Sequence, residues 1–163
     1  MQTNPGELRI GVLISGGGST LDNLIRLIAS QSLRRVRIAV VVSSRAAVRG
    51  VEIARGAGLP LEIIRPRDFA DDGAFSDTLA TALDRAGVEL VVMGGFLCLW
   101  RYPIRYEARV LNIHPALLPQ FGGKGMFGHH VHDAVLASGA TESGCTVHLV
   151  DHQYDHGPTV AQA

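Results

Sequence analysis

The sequence has little of what secreted, membrane and nucleic-acid-binding proteins usually carry. Its 163 residues include only two cysteines, Cys98 and Cys145, whose separation suggests neither a disulfide framework nor a metal-binding motif. No apolar run approaches the roughly 20 residues of a membrane-spanning helix. Fifteen basic residues balance fifteen acidic ones, so no strong charge predicts a nucleic-acid or membrane partner. Small or locally charged ligands remain possible, and we expect a cytoplasmic protein that is a monomer or a homodimer.

Apolar runs and helical patterns alternate along the first hundred residues. The runs are short and rich in branched residues, which is typical of strands buried on both faces. This alternation predicts an α/β fold: a Rossmann-like, mostly parallel sheet with helices on both faces. The predicted strands are 8–15, 36–44, 61–66 and 88–96, and the predicted helices are 19–30, 46–58 and 73–87.

The pattern changes after residue 96. We expect an irregular or briefly helical segment, a fifth strand, a helix and a final strand pair, at 97–108, 109–114, 129–139, 143–151 and 157–163. All seven histidines lie at or after position 114, so the titratable chemistry is concentrated in this part of the chain. We expect residues 1–8 to be a flexible segment and residues 9–163 to form one domain.

A glycine-rich turn separates the first strand from the first helix. Gly16, Gly17 and Gly18 precede Ser19 and Thr20, where a bare backbone and the free N–H groups of a helix start suit an anion such as phosphate. The turn has neither the Gly-Lys-Ser/Thr of a Walker loop nor the third glycine of a dinucleotide fingerprint. The alternative is a tight turn in which a serine side chain caps the helix.

Asn112 and His114 lie two positions apart on a predicted strand, so their side chains face the same side. An amide donor and an imidazolium aimed at one point can stabilise a developing oxyanion, each contributing about 3 kcal/mol. The alternative for His114 is a buried histidine with a purely structural role. A carboxylate from the segment 150–158, "VDHQYDHGP", would favour the charged ring and pass protons through a water. Asp155 is our candidate, whereas Asp151 is more typical of a solvated Asx turn.

We expect these segments to lie close together at one edge of the sheet. Ligands of open α/β sheets bind outside the carboxyl ends of the strands, and the glycine turn, Asn112 with His114, and the 150–158 segment all lie at the carboxyl ends of predicted strands. The histidine-rich stretches suggest zinc ligands, but no His-Glu-x-x-His helix is present, and we predict no metal site.

Four stretches in this order resemble the phosphoribosylglycinamide formyltransferase family of purine biosynthesis. They are "VLISGGGSTLDNL", "VVMGGFLCLW", "LNIHPALLPQFGGKGMFGHHVHDAVLASG" and "GCTVHLVDHQYDHGP". The resemblance begins near residue 9. It implies a formyl-transferring enzyme that uses 10-formyltetrahydrofolate as a reversibly bound co-substrate, with no tightly bound cofactor, and phosphoribosylglycinamide as the acceptor.

The resemblance also implies roles for individual residues. Catalysis would depend on Asn112, His114 and Asp155, and the acceptor's phosphate would lie against Gly17, Gly18, Ser19 and Thr20. Folate would be bound by Phe96, Leu97, Cys98, Leu99, Trp100, Val150, Asp151 and Tyr154.

This chain also departs from the family. Thr20 stands where well-known members have asparagine, and Cys98 stands where many have arginine. Members usually continue beyond the position of residue 163, so we expect the domain to lack its last strand and helix. The alternatives are a formyltetrahydrofolate deformylase, another folate-dependent formyltransferase, and a phosphate- or folate-binding chain without activity.

Overall fold

A computed structural model describes residues 6–163 and arranges them around one seven-stranded sheet with the order β3-β2-β1-β4-β5-β6-β7. The strands are β1 (Leu8–Ile14), β2 (Val36–Ser43), β3 (Leu61–Ile63), β4 (Leu90–Met93), β5 (Val110–His114), β6 (Thr146–Leu149) and β7 (Thr159–Gln162). The α-helices are α1 (Ser19–Ala29), α2 (Arg49–Gly56), α3 (Asp72–Arg85) and α4 (His129–Ala137), and short 3-10 helices cover Pro66–Asp68 and Ile104–Tyr106.

Six of the strands run in the same direction, and only β6 runs in the opposite one. Strands β1 to β5 pair in parallel, whereas β6 is antiparallel to both β5 and β7. The predicted α/β class with a mostly parallel sheet is therefore confirmed. The carboxyl ends of β1, β4 and β5 lie at one edge of the sheet, where the glycine turn and His114 are found.

The reversal of β6 corrects one expectation. In the β5–β6 pair, His114 lies opposite Thr146 and Leu111 lies opposite Leu149, so the 150–158 loop leaves the sheet beside the amino end of β5. Our prediction that this loop begins at the same edge as the glycine turn is wrong. The loop then folds back over the sheet and brings Asp155 against His114.

Helices cover both faces of the sheet, as predicted. On one face, alternate β1 residues such as Val12 pack with Leu21 of α1 and Ala54 of α2. On the other face, Leu13 and strands β4 and β5 pack against α3. Val110 belongs to this second cluster, so the alternation of β5 carries Asn112 and His114 onto the same face.

The segment between β4 and β5 is anchored by aromatic side chains. Trp100 is 1% exposed, its Nε1 donates to the backbone oxygen of Ser76 at 3.1 Å, and its ring packs against Tyr102 and Tyr106. These contacts fix residues 96–100, which border the site described below.

Strand β1 begins at Leu8, and residues 1–5 of the segment expected to be flexible lie outside the described residues. None of the helices within residues 6–163 combines the length and apolar character that crossing a bilayer requires.

Candidate active site

Four polar side chains meet on the face of β5 and β6. Asp155 Oδ2 lies 3.5 Å from His114 Nδ1, and Asp155 Oδ1 lies 3.3 Å from Asn112 Nδ2 and 3.6 Å from His148 Nε2. The structure thus brings together the three residues proposed from the sequence and adds His148. We call Asn112, His114, His148 and Asp155 the polar cluster.

Asp155 lies at the centre of the polar cluster. Its backbone is in the left-handed region, with a φ of 52°, and its Oδ2 accepts a hydrogen bond from Gly123 N at 3.0 Å. Burial opposes the charged carboxylate, but the contacts with His148, Gly123 N–H and His114 outweigh that effect and lower the pKa of Asp155. The carboxylate is therefore ionised at neutral pH.

His114 is almost fully buried, and both of its ring nitrogens face acceptors. Nε2 lies 2.7 Å from the carbonyl oxygen of Phe121, which can only accept, so Nε2 carries a hydrogen. Nδ1 faces the carboxylate of Asp155. This geometry accommodates an imidazolium ring.

His148 was missed by the sequence analysis, which considered the histidine-rich stretches only as possible zinc ligands. It lies opposite Asn112 in the antiparallel β5–β6 pair, and its Nε2 is 3.1 Å from Asn112 Nδ2. Alternation along β6 predicts that His148 faces the same side as Thr146. Only the direction and register of the strand pair reveal that this side is the one carrying Asn112.

A cavity of about 370 Å³ opens beside the polar cluster. Asn112, His114 and Asp155 line it together with Phe96 and Leu97. The rest of the lining comes largely from the glycine-rich stretch 123–128 and from Tyr154.

Most of the remaining residues proposed to bind folate lie around a second, smaller cavity. Cys98, Leu99, Trp100, Val150 and Tyr154 line a neighbouring cavity of about 60 Å³, which also touches Asn112 and Asp155. Tyr102, which was not foreseen, holds this region by donating from its hydroxyl to the carbonyl oxygen of Val150 at 2.8 Å.

Asp151 lines none of the three cavities described here. Its Oδ1 accepts a hydrogen bond from Gln153 N at 2.8 Å, and its Oδ2 lies 2.6 Å from His156 Nδ1. This is the Asx turn expected as the alternative. The Asp151 side chain is therefore engaged within its own loop, and a folate contact by this residue stays a prediction.

The glycine turn forms a third cavity, of about 320 Å³, lined by Gly17, Gly18, Ser19 and Thr20. The residue that caps α1 is Gly18, with a φ of 73°, and no side chain bonds to the first turn of the helix. The alternative in which a serine caps the helix is therefore wrong. The N–H groups of the first turn stay available to an anion.

Close packing holds this turn in place. A Cβ atom on Gly18 would lie 2.6 Å from Gly50 Cα, and one on Gly50 would lie 2.7 Å from Ile14 Cδ1. The turn and the start of α2 therefore touch through bare backbone.

The turn cavity and the main cavity are neighbours, because Gly95, Ile113 and Pro115 line both. A single elongated ligand can thus reach the glycine turn and the polar cluster at once. Within residues 6–163, no group of three or more histidine, cysteine, aspartate or glutamate side chains is arranged to hold a metal ion.

Comparison with known proteins gives consistent matches. Residues 8–163 match the formyl transferase family model. The chain is 37% identical, over 98% of its length, to a chloroplastic phosphoribosylglycinamide formyltransferase of Arabidopsis thaliana, and spans 55% of that protein. It is 39% identical, over 95% of its length, to a trifunctional purine biosynthetic protein of Drosophila pseudoobscura pseudoobscura, and spans 11% of it.

A solved structure gives the same match. Glycinamide ribonucleotide transformylase 1 from Symbiobacterium toebii superposes with a TM-score of 0.88 at 38% identity. The alignment covers 98% of this chain and 74% of that one. The chain thus spans only part of the length of the relatives it matches.

Proposed function

Given that this chain belongs to the formyl transferase family, we propose that it transfers a formyl group from 10-formyltetrahydrofolate to the amine of 5-phosphoribosylglycinamide, a step of purine biosynthesis. The observation that carries this proposal is the polar cluster, in which Asn112, His114 and Asp155 border one cavity. That cavity adjoins the glycine turn.

The proximity of the two cavities suits the acceptor. Its phosphate and its reacting amine belong to one small molecule, so an anion site must lie next to the reacting centre. Gly17, Gly18, Ser19 and Thr20 would hold the phosphate through helix N–H groups and hydroxyls. The amine would then extend past Gly95 and Pro115 towards His114.

In the proposed reaction, the amine attacks the formyl carbon, a C–N bond forms, and the formyl oxygen becomes negatively charged. Asn112 Nδ2 and His114 Nε2 are the donors for that oxygen, at about 3 kcal/mol each. Both donors are engaged by protein acceptors, so the formyl oxygen would replace the Phe121 carbonyl as the partner of Nε2.

Proton transfer completes the reaction. The attacking nitrogen must lose a proton, and the folate nitrogen must gain one as its bond to the formyl carbon breaks. Asp155, ionised and beside His114, would relay that proton through a water. Tetrahydrofolate and the formylated acceptor are the products, and no covalent enzyme intermediate forms.

The apolar part of the folate would occupy the main cavity against Phe96 and Leu97, with Tyr154 and the side cavity beyond. Both cysteines are free, which fits a reducing compartment such as the cytoplasm. The chain would act as a monomer or a homodimer.

A product assay tests this proposal. Purified chain is mixed with both substrates without added metal, and formylated acceptor and tetrahydrofolate should appear in equal amounts. Formate release without the acceptor would instead identify a deformylase. Calorimetric binding of both substrates without product would identify a binding protein and overturn the proposed activity.

The variant His114→Ala tests the role of the ring. We expect kcat to fall by roughly 10²- to 10³-fold, because one oxyanion donor is lost. His132→Ala, which removes an exposed histidine on α4, is the matched control and should keep kcat within about twofold. Equal kcat values for the two variants would contradict this role.

A further inference from the structure

The tautomer of His148 follows from its neighbours. Its Nδ1 lies 2.9 Å from the carbonyl oxygen of Leu149, which can only accept a hydrogen bond, so Nδ1 carries a hydrogen. In the neutral ring, Nε2 then has a free lone pair. It lies 3.1 Å from Asn112 Nδ2, an amide nitrogen that can only donate.

The Asn112 amide nitrogen has two hydrogens, and this arrangement uses both. One points to His148 Nε2 and the other to Asp155 Oδ1, at 3.1 and 3.3 Å. No hydrogen bond to the described residues involves Asn112 Oδ1, and no buried side-chain oxygen or nitrogen among them lacks a partner. The amide oxygen therefore faces accessible space. Asn112 in this orientation offers no free hydrogen to a formyl oxygen.

We propose that His148 is a positioning residue that sets which way the Asn112 amide faces. A protonated His148 cannot accept from Nδ2 and must donate from Nε2 instead. The amide then turns so that its oxygen accepts that hydrogen bond, and Nδ2 points into the cavity. The turned oxygen lies near Asp155 Oδ1, where the positive ring offsets the repulsion. This inference rests on the proposed function for its catalytic meaning, but not for its geometry.

The charges around His148 come from three parts of the fold. Asp155 and Asp151 lie in the loop after β6, and the carboxylate of Asp155 lies between the rings of His148 and His114. Cys98 and Tyr154 line the same side cavity as His148. On β7 the partner is Thr159, which carries no charge. Burial opposes the charged ring, but the contacts with Asp155 and the Leu149 carbonyl outweigh it and raise the pKa of His148. The protonated form is therefore within reach near neutral pH.

The first test is spectroscopic and needs no turnover. The side-chain ¹⁵NH₂ signals of Asn112, assigned through their loss in Asn112→Asp, are followed by NMR against pH, together with the ring signals of His148. We expect a common midpoint. In His148→Gln, which cannot titrate, the Asn112 signals should lose this transition, whereas His132→Gln on the exposed face of α4 should keep it.

Two results of this titration would overturn the inference. One is that the Asn112 side-chain signals do not change with pH while His148 titrates in the unmodified chain. This comparison does not depend on a His148 variant that folds. The other is an Asn112 transition that survives unchanged in His148→Gln, which would assign it to His114 or Asp155.

The second test is kinetic. In the unmodified chain, kcat should fall as rising pH deprotonates His148, because the Asn112 amide then turns away from the cavity. We expect His148→Gln to lower kcat about tenfold, to leave KM nearly unchanged, and to weaken this dependence of kcat on pH. In an Asn112→Ala background the same substitution should cost less than about twofold, since its target is gone. An equal loss in both backgrounds would overturn the inference. Absence of formyl transfer with a normal NMR transition would count against the proposed function alone.

Discussion

Replacing Asp155 by asparagine removes the negative charge at the centre of the polar cluster without changing the size of the side chain. One carboxylate oxygen accepts from Asn112 Nδ2 and faces His148, and the other accepts from Gly123 N and faces His114. Asparagine has one oxygen and one NH₂ group. Whichever way it faces, its NH₂ group meets a donor, so a hydrogen bond is lost together with the charge.

The magnitude follows from the geometry. Two unit charges 3.5 Å apart attract by roughly 5 kcal/mol at an effective dielectric constant of about 20. Only 11% of the Asp155 side chain is exposed, so water screens the pair weakly, but the cost of burying the carboxylate offsets part of the attraction. A net loss of about 3 kcal/mol in the transition state corresponds to a fall in kcat of roughly 10²-fold.

Steady-state formyl transfer measures this effect. For Asp155→Asn we expect kcat to fall by roughly 10²- to 10³-fold, while KM for the phosphorylated acceptor stays within about threefold, since the glycine turn is untouched. Asp133→Asn, an exposed substitution on α4, is the control. A folded Asp155→Asn variant with a kcat within threefold of that control would refute the assignment of Asp155 to the reaction.

Two further predictions concern binding and stability. Gly18→Ala forces a side chain into a backbone with a φ of 73° and against Gly50, so we expect it to weaken acceptor binding at least tenfold, as measured by calorimetry. The control is Gly56→Ala, which has open space around it and should leave the affinity unchanged. Equal affinities of the two variants would contradict the phosphate assignment. Because folding lowers the pKa of Asp155, its ionisation stabilises the fold above about pH 4, and this contribution disappears as pH falls through the folded-state pKa. Urea unfolding from pH 6 to pH 2 should therefore show a difference between the original chain and Asp155→Asn that shrinks on acidification, and a difference that grows would be contrary to this.

Most of the fold could be predicted because the residues that end strands and helices act locally in the sequence. Apolar runs bounded by glycine marked β1 and β4, and Gly58 and Gly87, both at positive φ, follow the ends of α2 and α3 as expected. One missed boundary is explained by a side-chain contact. Helix α3 begins one residue early, at Asp72, because Asp71 caps it by accepting a hydrogen bond from Ala74 N.

The polar cluster was only partly predictable. Asn112 and His114 share a strand, and a two-residue period is enough to place them on one face. His148 required the register of β6 against β5, and sequence patterns carry neither strand direction nor register when both faces are largely buried. The same gap explains the misplaced origin of the 150–158 loop.

The antiparallel strand β6 is what makes this cluster possible. A parallel strand would have started its following loop at the same edge as the glycine turn, whereas the reversed strand sets His148 opposite Asn112 and starts the loop at the other edge, from which it returns with Asp155 over β5. The glycine turn belongs to β1 and α1, a separate part of the sheet. The two cavities share only the lining residues Gly95, Ile113 and Pro115, none of which belongs to the polar cluster, so substitutions in the cluster should change turnover while leaving anion binding at the turn intact.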